Sequence, residues 1–258
     1  MTSLDLFSLL FLGGAAFAAG LVDAVVGGGG LIQFPALFGA LPQAAPATLF
    51  GTNKLASFCG TGYATWRYAG RIAVPWAIVL PAAMAALLFS FLGAHAVALL
   101  PKAVLRPLVL ILLIAVALHT FWHKDFGALD RGHPVRRRTT YAAFLVGAVL
   151  GFYDGFFGPG TGSFLIFAFI RFFGFDFLKA SLSAKCVNLM TNTGALLAFG
   201  FTGHILWGLG LGMAACNVAG AWIGSHLALK HGTGFVRAAF LVVAVALIGK
   251  FGWDTFRS

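Results

Sequence analysis

The stretch that decides the fold is "GLVDAVVGGGGLIQFPALFG", residues 20–39, an apolar run that an aspartate and four consecutive glycines interrupt. A carboxylate is costly in apolar surroundings unless it is paired, and glycine is a poor helix former. The stretch therefore predicts a helix that ends near the glycines and a second, shorter helix that begins there.

The composition of the 258-residue chain is that of a membrane protein. Hydrophobic residues make up 60% of it and charged residues 9%, and its mean hydropathy is +0.95, whereas soluble domains carry roughly a quarter charged residues. Apolar runs such as 75–100 and 107–122 reach or approach the roughly 20 residues that a spanning helix needs. The N-terminal segment has no basic region, which favours a spanning helix over a signal peptide. The sequence predicts an all-α polytopic membrane protein.

The charge and the reactive residues exclude several other functions. The formal charge of +10 is interpreted as a topology signal and not as a nucleic-acid interface, because Lys and Arg accumulate in the cytoplasmic loops of membrane proteins. The three cysteines lie in apolar segments without CxxC spacing, which favours packing over a metal or disulfide role. The seven histidines are scattered, and neither HExxH nor GxSxG occurs. The sequence therefore predicts no enzyme, no metal site and no cofactor.

A shift of 131 residues aligns the chain with itself without a gap, so that "GLVDAVVGGGG" falls on "GFYDGFFGPGTG", residues 151–162. The rare residues in the same register are Asp23 with Asp154, Lys54 with Lys185, Trp76 with Trp207, His95 with His226, and Arg106 with Arg237. The tryptophans and histidines of this set are expected at helix ends, in interfacial or packing roles. The predicted domains are a first transmembrane repeat (1–122), a cytoplasmic basic linker (123–139) and a second transmembrane repeat (140–258).

Each repeat divides into five apolar pieces. They span 4–24, 28–41, 47–68, 74–98 and 104–122 in the first repeat, and 141–156, 160–174, 179–200, 205–229 and 234–253 in the second. An odd number of crossings per repeat reverses the second copy, as in the inverted repeats of many secondary transporters, with the short, interrupted helices at the repeat interface. The short piece at 28–41 leaves a parallel arrangement with four crossings per repeat as the alternative.

The basic residues favour the inverted arrangement. If the linker is cytoplasmic, ten basic residues lie on its side and both termini lie in the periplasm. These ten are Arg67, Arg71, Lys124, Arg131, Arg136, Arg137, Arg138, Arg171, Lys179 and Lys230.

The glycine loops predict an anion site. Non-helical backbone at membrane depth is tolerated only where it is buried in protein or lines a watery cavity, and a helix N-terminus offers N–H donors and partial positive charge. Lys54 and Lys185 lie inside apolar helices, where an unpaired charge costs at least about 2.5 kcal/mol. The predicted substrate-binding residues are Gly28, Gly29, Gly30, Thr52, Asn53, Lys54, Gly160, Thr161, Gly162, Lys185, Asn188 and Asn192.

The two aspartates have two possible roles. Asp23 and Asp154 exchange a proton beside the anion, or they form structural ion pairs, Asp23 with Lys54 and Asp154 with Lys185. In the second repeat, Lys185, Asn188 and Asn192 follow one another at intervals of about one helical turn, so they share one face of their helix.

At these motifs the sequence resembles the TauE/SafE family of sulfite exporter-like transporters. The resemblance rests on "GLVDAVVGGGGLIQFPAL" (20–37), "GTNKL" (51–55), "GFYDGFFGPGTGSF" (151–164) and the pattern of Lys185, Asn188 and Asn192. It covers nearly the whole chain and implies a bacterial inner-membrane permease that moves sulfite, sulfonates or related small organic anions, coupled to the proton gradient. An anion channel and a membrane scaffold without transport are the alternatives, and the sequence leaves the oligomeric state open.

Overall fold

The computed structural model describes residues 5–98 and 137–257, and within these ranges it contains helices and no strands. The helices are α1 Leu6–Val26, α2 Gly30–Ala40, α3 Pro46–Ala69, α4 Trp76–Ala98, α5 Arg137–Phe156, α6 Thr161–Phe173, α7 Phe177–Phe201 and α8 Trp207–Arg257. Gly232 has non-helical backbone angles and divides α8 in two. The predicted piece at 104–122 lies outside the described residues, and α5 begins inside the predicted linker.

The predicted interruption at the glycines is present in both copies. α1 ends at Val26, and Gly27 and Gly28 follow with φ of 75° and 92° before α2 begins. In the second copy Gly158 and Gly160 have φ of 98° and 85° before α6 begins. Left-handed angles of this kind favour glycine, because a Cβ would collide with the backbone.

Local signals explain where the other helices start and stop. Pro46 occupies the first turn of α3, where a missing N–H costs nothing. Asp176 caps α7 by accepting a hydrogen bond from the Lys179 N–H at 2.9 Å. α2 and α6 have 11 and 13 residues, so they are shorter than the roughly 20 residues that a span requires.

The two units are interlocked through their fourth helices. α4 packs against α5 and α7, and α8 packs against α1 and α3, so the fourth helix of each unit contacts the first and third helices of the other. Small residues allow these helices to come close. A Cβ added at Gly155 would lie 1.9 Å from the Ser90 carbonyl oxygen, and one added at Gly20 would lie 2.0 Å from the Asn217 carbonyl oxygen.

The outer surface is apolar. Large exposed side chains include Leu6, Phe7, Trp66, Leu145 and Phe201, and an exposed apolar surface of this extent is typical of contact with lipid or a partner. Two described helices, Leu6–Val26 and Trp76–Val97, are long and apolar enough to cross a membrane. The described helices therefore expose many large apolar side chains, and several buried polar side chains, among them Lys54, Asp154 and Asn192, lie near the two glycine loops.

Candidate functional site

A small polar cavity lies where the two glycine loops meet the middle of α3 and α7. Its free space is about 20 Å³, which is room for about one water molecule. The loops contact each other, since a Cβ at Gly27 would lie 2.6 Å from the carbonyl carbon of Gly162. The lining residues are Asp23, Gly28, Gly30, Phe34, Asn53, Lys54, Ser57, Asp154, Gly158, Gly160, Thr161, Gly162, Asn188 and Asn192.

Lys54 and Asp154 form a buried ion pair that joins the two units. The Lys54 Nζ lies 2.5 Å from the Asp154 Oδ2, and the side chains are 3% and 2% exposed. Desolvation offsets much of the Coulomb attraction in such a pair, but removal of one partner leaves a buried charge uncompensated, at about 3–5 kcal/mol. The pair therefore fixes the first unit's α3 against the second unit's α5.

Asp23 corresponds to Asp154 in the repeat but has a different environment. Its Oδ2 accepts a hydrogen bond from the Thr61 hydroxyl at 3.0 Å, and its Oδ1 accepts one from the Gly29 N–H at 3.4 Å. Among the described residues, Asp23 takes part in no salt bridge. The carboxylate is thus held by neutral donors, one of which belongs to the glycine loop.

Lys185 corresponds to Lys54 and also has a neutral partner. Its Nζ donates to the Ser181 hydroxyl at 2.7 Å and lies 4.8 Å from the centre of the Tyr68 ring, a cation–π contact. The side chain is 3% exposed. Lys185 and Asp23 line a second cavity together with Gly27, Gly162, Ile166, Ala184 and Asn188, and its free space is about 10 Å³.

Two buried amide groups at the central cavity have no hydrogen-bond partner. They are the Oδ1 of Asn53 and the Nδ2 of Asn192. Asn188 lines both cavities and donates from its Nδ2 to the Thr191 hydroxyl at 3.2 Å. A buried polar atom without a partner costs about 1–3 kcal/mol. The central cavity is therefore lined by residues with one unpaired acceptor and one unpaired donor, which a polar ligand or a water molecule can bond.

The ion pairs within each unit, which were one of the two alternatives for the aspartates, are not formed. Lys54 pairs with Asp154 of the other unit instead of with Asp23, and Asp154 is not bonded to Lys185. The pairing follows from helix packing, because α3 packs against α7 and α8 of the other unit, which brings the Lys54 ammonium within reach of the Asp154 carboxylate in the last turn of α5.

Two predicted site residues, Thr52 and Gly29, line neither cavity. The Thr52 hydroxyl donates to the Thr48 carbonyl at 2.7 Å and accepts from the Leu206 N–H at 3.0 Å, so it ties α3 to the start of α8. The Gly29 N–H is taken by Asp23. The other predicted residues line one or both cavities.

Residues predicted at helix ends lie on the outer surface. Trp76 and Trp207 begin α4 and α8 and are 59% and 57% exposed. His95 is exposed and stacks on the Phe91 ring, and His226 is exposed on α8. Within 5–98 and 137–257, no group of three His, Cys, Asp or Glu side chains is placed to hold a metal ion.

Four side chains with polar groups at or beside the two cavities, Ser57, Thr61, Tyr68 and Ser181, were not among the predicted residues. A signal for two of them existed in the repeat, because a shift of 131 residues places Ser57 on Asn188 and Thr61 on Asn192. Tyr68 and Ser181 carried no comparable signal, since a shift of the same length places them on Phe199 and Phe50.

Curated relatives of this chain are membrane proteins. It is 38% identical over 250 residues to "Probable membrane transporter protein ORF9" of a Sinorhizobium species, which covers 96% of this chain and 93% of the relative. It is 33% identical over 253 residues to "Probable membrane transporter protein" of Haemophilus influenzae, with 97% and 96% covered. It is 34% identical over 258 residues to "Probable membrane transporter protein YfcA" of Escherichia coli K12, with 99% and 93% covered. The chain is thus in the class of membrane transporters and not of enzymes.

Most of the chain also matches one described protein family. Residues 12–251 match the family described as "Sulfite exporter TauE/SafE", and the chain belongs to that family. No solved structure matches it.

Proposed function

We propose that this protein is a secondary transporter that moves a small anion across the bacterial inner membrane by alternating access, coupled to protons. The observation that carries this proposal is the polar cavity in an otherwise apolar chain, lined by two glycine loops, Lys54 and two amide side chains with unpaired atoms, beside a second cavity that Lys185 lines. Non-helical backbone at membrane depth is tolerated where it lines a cavity. Secondary transporters bind substrate and coupling ion at such broken helices.

The chemistry of the cavity favours an anion. α2 begins at Gly30 and α6 at Thr161, and both residues line the cavity, so two helix N-termini contribute partial positive charge there. Lys54 lines the same cavity, where it is paired with Asp154, and Lys185, which has no such pair, faces the adjoining cavity with Asp23. The family description names a sulfite exporter. The proposed substrates are therefore sulfite, an organosulfonate or a related sulfur or organic anion.

We further propose that the two units are inverted repeats, with the central linker in the cytoplasm and both termini in the periplasm. The reciprocal packing of α4 and α8 supports an internal two-fold relation. The exposed tryptophans at the starts of these two helices support equivalent positions at a membrane interface. The parallel arrangement with four crossings per unit remains the alternative.

The cavity is closed to a substrate in this conformation. Sulfite has four heavy atoms, and a free space of about 20 Å³ accommodates about one water. The contact between Gly27 and Gly162 closes it. Transport therefore requires the two glycine loops to separate, and loops from different units separate when the units rock against each other.

The test is flux into proteoliposomes that contain the purified protein. Labelled sulfite, taurine and sulfoacetate are supplied with and without an imposed pH gradient. The wild type is compared with Lys185→Ala and with Lys230→Ala, a matched control because Lys230 is exposed on α8. We expect gradient-dependent flux of at least one anion in the wild type and the control, and loss of that flux in Lys185→Ala.

The other outcomes are informative. Flux that ignores the pH gradient indicates an anion channel. Absence of flux for all three compounds, in protein that remains folded, rejects transport of sulfur anions. Normal flux in Lys185→Ala rejects Lys185 as a binding residue.

A further inference from the structure

The two acid–lysine sets of the repeat differ in one respect that bears on transport. Lys54 and Asp154 are bonded to each other at 2.5 Å. Lys185 and Asp23, in the equivalent positions, line one cavity and interact electrostatically, yet each is hydrogen-bonded to a neutral group instead. We call the Lys54–Asp154 set closed, because its two charges are bonded to each other, and the Lys185–Asp23 set open, because its two charges are not.

The charges of the site sum to zero when all four groups are ionised. Lys54 and Asp154 cancel directly, and Lys185 balances Asp23 across the small cavity. An anion that enters beside Lys185 adds one negative charge to a buried site, and an uncompensated charge is costly there. Protonation of one carboxylate restores neutrality.

Asp23 is the carboxylate that is free to accept this proton. The Asp154 Oδ2 is bonded to the Lys54 ammonium, so protonation there would break an ion pair and leave Lys54 uncompensated. Protonation of Asp23 breaks no ion pair, because its partners are the Thr61 hydroxyl and the Gly29 N–H. A protonated carboxyl also gains an O–H that can donate to an anion oxygen, whereas the ionised form only repels the anion.

The groups that face Asp23 are consistent with this assignment. α7 presents Lys185, α3 presents Tyr68, on which the Asp23 charge acts, and Lys54 and Asp154 lie across the shared central cavity. The glycine loops present backbone, and α8 meets this part of α1 with Gly224 and Ala221.

We propose that Asp23 couples the proton to the substrate: the anion binds beside Lys185 when Asp23 is protonated, so proton and anion are bound and moved together. This inference rests on the proposed anion transport. It assigns the Lys54–Asp154 pair to a fixed structural role and the Asp23–Lys185 pair to the transport cycle.

The test measures anion binding to the purified full-length protein at several pH values between about 4, near the pKa of a free aspartate, and about 8. Methanesulfonate is the probe, because a sulfonate keeps its single negative charge across this range, whereas sulfite gains a proton within it. Affinity is obtained from the increase of the apparent melting temperature with probe concentration. The variants are Asp23→Asn, Lys185→Gln, and the double variant Lys54→Gln with Asp154→Asn.

We expect the wild-type Kd to rise with pH, by up to about tenfold per pH unit, because the fraction of protein that carries the proton required for anion binding falls by that factor. Asp23→Asn imitates the neutral carboxyl, so its Kd should be independent of pH and close to the wild-type value at low pH. The double variant should keep the wild-type pH dependence even if its affinity changes. Lys185→Gln should not bind methanesulfonate at either end of the pH range.

A pH dependence that survives in Asp23→Asn, or that disappears in the double variant, overturns the assignment to Asp23 while leaving anion transport standing. Failure of the folded wild type to bind methanesulfonate, taurine or sulfite at any pH overturns the proposed function and this inference together. In proteoliposomes, Asp23→Asn should still exchange labelled for unlabelled anion but should not accumulate it in response to a pH gradient. Accumulation equal to that of the wild type contradicts the coupling role.

Discussion

The two halves of the site contain the same charged residues and bond them differently. Lys54 is joined to Asp154 across the units, whereas Lys185 donates to Ser181 and Asp23 accepts from Thr61. The difference shows that two similar motifs in one chain need not form the same contacts.

Residues around the motif account for the difference. Ser181 supplies Lys185 with a neutral acceptor, and the equivalent position holds Phe50, which has no polar atom for Lys54. Thr61 supplies Asp23 with a donor, and the equivalent Asn192 has a buried Nδ2 without a partner. Ser181 and Thr61 therefore give Lys185 and Asp23 neutral partners, whereas Phe50 offers no such partner to Lys54.

The largest expected effect comes from breaking the closed pair. Asp154→Asn leaves the Lys54 ammonium uncompensated in a buried position, and we expect it to lower the free energy of unfolding by about 3–5 kcal/mol. Asp23→Asn removes no ion pair and should cost less than about 1.5 kcal/mol. Thermal unfolding of the two purified variants in the same detergent measures the difference.

The double variant Lys54→Gln with Asp154→Asn is the control for this prediction. It removes both charges, so most of the loss in Asp154→Asn should be recovered. Equal destabilisation by Asp23→Asn and Asp154→Asn would show that the two carboxylates are equivalent, contrary to the comparison.

The second effect distinguishes the two glycine loops. Gly27→Ala and Gly158→Ala both introduce a Cβ at positive φ, which costs about 1–3 kcal/mol in each. At Gly27 the Cβ also lies 2.6 Å from the backbone of Gly162, while at Gly158 the nearest atoms are 3.4 Å away. Gly27→Ala should therefore cost about 1–3 kcal/mol more, as measured by thermal unfolding.

Gly212→Ala is the matched control for the glycine variants. Gly212 lies in α8, and a Cβ there would meet nothing within 4 Å, so alanine should be neutral or stabilising by up to about 1 kcal/mol. If Gly27→Ala and Gly158→Ala unfold at the same temperature, the contact between the loops does not contribute to stability.

The sequence predicted the helices and the place where they break, because apolar length and consecutive glycines are local signals. It also predicted most of the cavity lining, since buried charges and amides are rare in an apolar chain and stand out. Lys185, Asn188 and Asn192 share a face for reasons of helical geometry alone, and Asn188 and Asn192 both line the central cavity.

The partner of each charged residue could not be predicted from the sequence. Which lysine meets which aspartate depends on where the other helices place α3 and α5 relative to each other, and the two paired residues are 100 positions apart in the chain. The hydrogen bonds of Thr52 could not be predicted for a similar reason, because one partner is the Leu206 N–H at the start of another helix. Long-range contacts of this kind leave no periodic pattern in either segment.

The third effect concerns the neutral partners of the open side. Thr61→Val removes a donor from the Asp23 carboxylate and should cost about 1.5 kcal/mol. Asn192→Leu, at the equivalent position, removes a buried Nδ2 that has no partner, so the change should be within about 1 kcal/mol of zero. Chemical denaturation of both variants measures the values, and a larger loss in Asn192→Leu would indicate that this amide is bonded in solution.

The smallest effect tests the ring beside Lys185. Tyr68 donates its hydroxyl to the Ala24 carbonyl at 2.9 Å, and its ring lies 4.8 Å from the Lys185 Nζ. Tyr68→Phe loses the hydrogen bond, at about 1 kcal/mol, but keeps the ring, as Phe199 does at the equivalent position. Tyr68→Leu removes the ring as well and leaves Lys185 with Ser181 alone, so it should unfold at a lower temperature than Tyr68→Phe. Equal melting temperatures for the two variants would mean that the cation–π contact adds nothing, and that Ser181 by itself keeps Lys185 apart from Asp23.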